Sequence, residues 1–512
     1  MGLKVNDATC AVRARAGMLV VLLAFGGQCA LAQAVYRITP LGFLGGCKSP
    51  APTAVGLNGN GQVAGTACNA AGKTHAFIWK NDGTPMLDLG PTGVNSEAVA
   101  IDSRGGVLAD AQPSSGEYAF FYGEFAPGSK IHDDLGGSAI FPYDLNNRNM
   151  FTGAALTAGD VTTHAVVWEP GVVTPTTDLG TLGGKTSVGV SINDSVHVTG
   201  SSDMPGNTAT HAFMWTPDSG MEDLGTLGGN FSNGLIINSA SQIAGTSNVV
   251  PNGRGHAFFR PYYGPMMDLG TLGGAYSYPT GLNNAGQVSG NSFKSGPLTT
   301  HGFVWLNDGT PMKDLGTLGG TRSFANAINF FGQVTGTANL AGDAKAHAFL
   351  WRNDGTSIQD LNKLIDATDP LKPYITLTAG HFINYSADIV ADGIDSRTGK
   401  QDLYLLHGTV LTLNPRALAF GNRPINTTSA AKSVTMTNTS ATFVAIKSIA
   451  LAGSAASQFA SSNNCGKGLL GHKSCTIQAT FKPTTKGAKS AVLNVNGGDG
   501  GLLTVNLTGT GT

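Results

Sequence analysis

The sequence predicts an all-β chain: a β-propeller of about eight four-stranded blades, with seven as the fallback count, followed by an immunoglobulin-like β-sandwich. Three observations carry this. The phrase DLGTLGG returns at 178–184, 223–229, 268–274 and 314–320. Its Asp, or that of a degenerate copy, falls at Asp88, Asp134, Asp178, Asp223, Asp268, Asp314 and Asp360, a period of about 45 residues. Glycine numbers 72 and charged residues are 12%, a composition of short strands and tight turns rather than long helices. A catalytic motif is normally written once, so a phrase written this often is expected to build the protein.

Residues 1–32 read as an export signal. Arg13 and Arg15 precede the apolar run MLVVLLAF (18–25), and ALA (30–32) supplies small residues before Gln33. The run is short of the roughly 20 residues a spanning helix needs, and the mature chain is expected outside the cytoplasm with no transmembrane segment: secreted, periplasmic or on the cell surface. Removing the signal leaves Cys47, Cys68, Cys465 and Cys475, an even number in an oxidising compartment. Neither pair has the C-x-x-C spacing of a zinc site, so two local disulfides are expected.

Residues 33–408 carry the repeat. Each unit offers four β-type runs, as in GVSIN (a), VHVTG (b), HAFMW (c) and MEDLG (d). An Asn/Asp/Gly turn links a to b, and NDGT at 81–84, 307–310 and 353–356 links c to d, a hairpin signal. Four strands of about 5–6 residues plus turns fill the period. The first d run, VYRITPLG (35–42), precedes any a run, and the last copy (381–408) has no d run of its own. An N-terminal d strand paired with the final c strand would remove both exposed edges. In such blades the d–a and b–c loops share a face, which puts Cys47 and Cys68 together and makes their disulfide feasible.

These phrases, H-A-F-x-W, D-L-G-T-L-G-G and I-N-x-x-G-Q-V-x-G, resemble the HAF repeat of extracellular bacterial proteins over residues 36–408. The resemblance implies export and says little of activity. Residues 409–512 change texture. Their pattern L-x-F-G-N, S-x-T-x-T-N-T, N-N-C-G, S-C-T-I, F-x-P and L-T-G-T-G resembles the choice-of-anchor D domain, an immunoglobulin-like module of about seven strand runs. That resemblance implies a paired cysteine loop at Cys465 and Cys475. Such domains often precede a sorting tag, and this chain ends without one.

The c-strand phrase holds His75, His164, His211, His256, His301 and His347, and Trp79, Trp168, Trp215, Trp305 and Trp351. Six equivalent catalytic histidines are not expected, so these residues are read as repeated interblade packing. The recurring Asp is read as accepting backbone N–H groups in a Gly-rich turn, with calcium as the alternative and no cofactor otherwise expected. No G-x-S-x-G elbow and no H-E-x-x-H occurs. A net charge of −1 gives no basic stripe for nucleic acid. The reading is a monomeric secreted scaffold for an extracellular glycan or protein, met by the variable b–c loops at 201–210, 246–255, 291–300 and 338–346. The alternative is a secreted carbohydrate-active hydrolase or lyase with paired carboxylates at the channel.

Overall fold

The computed structural model describes residues 35–45, 51–112, 118–122, 129–131, 135–169, 176–250, 253–296, 299–409, 411–438, 444–470, 473–497 and 502–512. The expected export signal, Cys47 and Asp134 lie outside them. Eight four-stranded antiparallel sheets fill residues 35–409. Sheets 1 to 7 each use four consecutive strands, a to d. In sheet 4 these are Ser187–Ile192, Val198–Asp203, Thr210–Thr216 and Gly220–Asp223. Sheet 8 takes Ile375–Ile383, Ile389–Asp395 and Lys400–Thr409 as a, b and c, and its fourth strand is Val35–Pro40 from the other end of the chain. Val35 stands opposite Thr409 and Pro40 opposite Tyr404, the pairing that the offset of the first d run predicts. Each a strand touches the a strand of the next sheet, and the a strand of sheet 8 touches Thr53–Leu57, the a strand of sheet 1. The arrangement is that of a β-propeller, with strands a innermost.

The d strands are shorter than the sequence suggests. Leu87–Asp88, Thr177–Asp178, Met267–Asp268, Lys313–Asp314 and Gln359–Asp360 have two residues each. All of them stop at the same Asp. Where D-L-G continues as T-L-G-G, its Gly takes a left-handed backbone, with φ 74° at Gly180 and Gly270, and the chain turns away from the ladder there. Outer edges this short offer little template for pairing with another chain.

The sheets are tied together by asparagine. One residue before each a–b turn is Asn58, Asp102, Asn146, Asn193, Asn238, Asn283, Asn329 or Asn384, and all eight are buried. The side-chain oxygen accepts the backbone N–H groups two and four residues on, as Asn238 does from Ala240 and Gln242 at 3.0 Å each. The Nδ2 donates to the backbone carbonyl of its counterpart in the next sheet: Asn146 to Asn193, Asn193 to Asn238, Asn238 to Asn283, Asn283 to Asn329 and Asn329 to Asn384, at 2.9–3.1 Å. Asn384 then donates to Asn58 at 3.1 Å, and Asn58 to Asp102 at 3.1 Å. The circuit returns to its start with one step made differently. Asp102 has no amide to donate, and Arg104 reaches the Asn147 carbonyl at 2.8 Å instead.

The described residues of 411–511 include nine strands, where the sequence predicts about seven. One sheet has the order Leu411–Asn414, Lys432–Asn438, Ser474–Phe481, Phe459–Asn463. The other runs Ala417–Arg423, Leu502–Gly511, Gly487–Gly497, Val444–Ala452, Gly468–Leu469. The two share a core that includes Phe420, Val434, Ile477, Phe481, Leu493 and Val505. Ala417–Arg423 pairs in parallel with Leu502–Gly511, so the start and finish of this module share a ladder.

The circuit makes opposite predictions for two substitutions of one kind. Asn238→Asp removes the donor and buries a charge, and is expected to lower unfolding free energy by about 2 kcal/mol or more. Asp102→Asn supplies the missing donor, and its effect is expected to stay within about 1 kcal/mol of wild type. Urea titration of both variants checks the contrast.

Candidate functional site

Two of the repeated phrases meet within six of the eight sheets. The c-strand histidine places Nδ1 against the carboxylate of the D-L-G aspartate: His75–Asp88 at 2.7 Å, His164–Asp178 and His211–Asp223 at 2.9 Å, His256–Asp268 at 3.0 Å, His301–Asp314 at 2.8 Å and His347–Asp360 at 3.0 Å. The same carboxylate accepts the backbone N–H two residues on, from Gly180 at 2.8 Å and from Gly225 and Gly270 at 2.7 Å. Asp360 accepts from Asn362 and so caps the short helix Leu361–Leu364.

The rest of the phrase reaches the next sheet. The residue after the histidine donates its N–H to a serine of the following a strand: Ala165 to Ser187, Ala212 to Ser232 and Ala257 to Ser277, at 2.7–2.8 Å. Each serine hydroxyl donates in turn to the D-L-G glycine carbonyl, at 2.6 Å. The phrase is therefore a clasp between consecutive sheets, with its histidine and aspartate occupied by one another. Among the described residues, no group of three or more His, Cys, Asp or Glu is placed to hold a metal ion.

The aromatic residues of the c-strand phrase fill the space between sheets. Phe77, Phe213, Phe258, Phe303 and Phe349 are fully buried. A methyl group on Gly290, in the b strand opposite Phe303, would come within 2.6 Å of that ring. The glycine of the V-x-G phrase thus makes room for the neighbouring phenylalanine. Trp79, Trp168, Trp305 and Trp351 are buried and Trp215 is half-buried. Trp305 lies 5.0 Å from Phe259 of the preceding sheet. Cys465 and Cys475 form a disulfide, with Cα atoms 5.0 Å apart. Cys68 is also disulfide-bonded, while its expected partner Cys47 lies outside the described residues.

What the repeats do not share is found on the inner strands and in the loops. Five residues before the circuit position stand Thr53, Glu97, Phe141, Val188, Asn233, Tyr278, Phe324 and Ala379. Tyr143 and Tyr278 are exposed although they belong to innermost strands, as are Phe231 and Tyr276 at the d–a end of sheets 5 and 6. On the opposite face Phe330, Phe331 and Tyr385 pack as a trio with centroids 5.0–5.6 Å apart, and Tyr263 is 84% exposed beside Tyr262. Sequence reading missed these aromatics because each occurs once. Their signal is the departure from the repeat, as FF stands at 330–331 where the neighbouring turns carry NA (284–285) and YS (385–386).

Three arrangements stand out among the unrepeated carboxylates of the strands. Glu97 stands in register opposite Asp110 on the a and b strands of sheet 2. Asp144 is saturated, accepting from Ser191 Oγ at 2.7 Å, Ile192 N at 3.0 Å and Leu145 N at 2.8 Å. Burial still raises its carboxyl above the usual range. Asp402 is buried in sheet 8, and desolvation, aided by nearby Asp395, pushes its carboxyl up to about 6.

No family model and no curated protein matches the chain. Several solved structures are similar to it. The β-propeller domain of the Trilobed protease from Pyrococcus furiosus is 13% identical over 63% of this chain and all of that one, with a TM-score of 0.39. A puromycin-hydrolyzing peptidase of Mycobacterium tuberculosis is 11% identical over 77% of this chain and 62% of that one, at 0.38. The ASH/PapD-like domain of human CEP192 covers 20% of this chain and 86% of its own, at 17% identity and a TM-score of 0.17.

Two outcomes test these assignments. His256→Ala and Asp268→Ala are each expected to cost about 1–2 kcal/mol in urea unfolding. As they remove one shared contact, the double variant should fall well short of their sum. For Asp402 the folded pKa lies above the unfolded value, so its stabilising contribution is complete below about pH 4 and is lost as pH rises through about 6. Asp402→Asn should therefore gain melting temperature over wild type at pH 8 and gain little at pH 4.

Proposed function

We propose that this chain is an exported binding or structural scaffold. In this reading residues 33–408 form a closed eight-bladed propeller of the HAF-repeat kind, and residues 409–512 an immunoglobulin-like module of the choice-of-anchor D kind. Its ligand, a glycan or a protein outside the cytoplasm, is met by residues that the blades do not share. The observation that carries the reading is the division of labour within each repeat. The recurring Asn, His, Asp, Ser and Gly are consumed in contacts within and between sheets, while the exposed tyrosines and phenylalanines differ from one sheet to the next. The Cys465–Cys475 disulfide supports export, as do Arg13, Arg15 and the apolar run after them. Among the described residues no helix is long and apolar enough to cross a membrane.

The second reading, a carbohydrate-active hydrolase or lyase, draws its support from the facing register of Glu97 and Asp110.

Thermal melting of residues 33–512 against soluble polysaccharides, with product analysis of each hit, separates the two. A ligand at 100 times its dissociation constant stabilises the native state by about 2.7 kcal/mol. A shift with the polysaccharide left intact, reduced by Tyr278→Ala or by exchange of a b–c loop, is the expected result. A cleaved product, abolished by Glu97→Gln, favours the enzyme.

A further inference from the structure

The fourth strand of sheet 8 differs from the other d strands in how it is attached. In sheets 1 to 7 strand d follows strand c through a short connection. Val35–Pro40 instead pairs with Lys400–Thr409 from the far end of the chain, so no short loop holds the two together and the entropy of bringing them into contact is met by side contacts. Those contacts come from residues 361–374, the connection into the last a strand. Tyr36 forms a parallel bridge with Ile365, and the Asp366 N–H donates to the Tyr36 carbonyl at 2.8 Å. Asp369 Oδ2 accepts the Ile38 N–H at 2.8 Å. The closing strand is thus hydrogen-bonded along both edges, with Tyr36, Leu364 and Ile365 in one core.

The Asp366 side chain, 3% exposed, joins this seam to the C-terminal module. Its Oδ1 accepts from the backbone N–H and the hydroxyl of Thr368 at 2.8 Å. Its Oδ2 accepts from Arg416 Nη1 at 2.9 Å and lies 3.8 Å from Arg37 Nη2 on the closing strand. Arg416 sits between Leu411–Asn414 and Ala417–Arg423, the first two strands of the module. Its carbonyl accepts the N–H of Asn506 at 3.0 Å, in the module's last strand. The arginine is therefore presented by the folded module.

We propose that the C-terminal module locks the seam of the repeat domain: through Arg416 it shares Asp366 with the closing strand and holds Val35–Pro40 in sheet 8. Release of the arginine loosens the ring at this seam and nowhere else. Burial alone would raise the Asp366 carboxyl, but the bonds from Thr368 and Arg416 outweigh it and hold it down at about 2. The lock is accordingly complete above about pH 4 and is lost only as pH falls towards 2.

Hydrogen exchange of the whole mature chain, residues 33–512, tests this with Arg416→Ala. The expected result is exchange at least tenfold faster in Val35–Pro40, with Gly220–Asp223 and Ser474–Phe481 unchanged, and partial recovery in Arg416→Lys. Unchanged protection of the closing strand overturns the proposal, and so does uniform acceleration across all eight sheets. Should Arg416→Ala expose Ser474–Phe481 as well, Asp366→Asn, which leaves the module's own residues intact, decides the matter on the same readout. Because no ligand is involved, failure here is distinct from failure of the binding reading.

Discussion

A primary amide both donates and accepts, and the fold uses both halves. Its oxygen accepts two backbone N–H groups of its own turn, and its nitrogen donates to a carbonyl in the next sheet. At seven of eight positions here the residue is asparagine, buried and so held. A buried donor or acceptor left unmet costs about 1–3 kcal/mol, so each amide fixes the turn that ends its strand and the distance to its neighbour at once. The other contacts between sheets are arranged around that spacing. Aspartate cannot occupy the position on equal terms, and at Asp102 an arginine two residues on makes the outward contact in its place.

The clasp at the periphery repeats the same logic with different groups. Histidine and aspartate neutralise one another's polar atoms on strands c and d, and a serine carries the connection to the next sheet. A fold whose neighbouring sheets are joined near the axis by amides and farther out by hydroxyls leaves little freedom to the residues that recur. Apart from exceptions such as Asp102, the most varied positions are ones that neither network uses. These are the exposed inner-strand tyrosines, the b–c loops and the aromatic trio at Phe330, Phe331 and Tyr385.

Much of this was legible in the sequence, for reasons that differ by element. The period, the phrases and the offset of the first d run are properties of chain order, and they lead directly to four strands per unit and to the pairing of Val35–Pro40 with Lys400–Thr409. The histidines and tryptophans read as structural repeats, because a residue repeated six times is poorly suited to one pocket, but each histidine bonds within its own sheet. The partner of each histidine was not legible. That Asp268 faces His256 depends on the register of a two-residue strand, which no periodicity encodes. The role of the asparagine was hidden for another reason. I-N-x-x-G-Q-V-x-G reads locally as a turn, and the turn is real, but the second half of the amide's work lies about 45 residues away in the next repeat. The Asp366 junction, assembled from residues 37, 366 and 416, had no sequence signal at all.

The central claim is that the eight a–b turns open together through a circuit with no free end, while outer strands such as Val35–Pro40 can open on their own. Native-state hydrogen exchange across residues 35–409, read at the amides held by the eight buried side chains, tests it most directly. A cooperative ring predicts that the N–H groups at positions such as Ala240, Gln242, Ala285 and Gln287 exchange with one common opening free energy, close to that of global unfolding. An open stack of repeats would instead fray from its ends, with sheets 1 and 8 exchanging well before sheets 4 and 5, and that gradient would contradict the account.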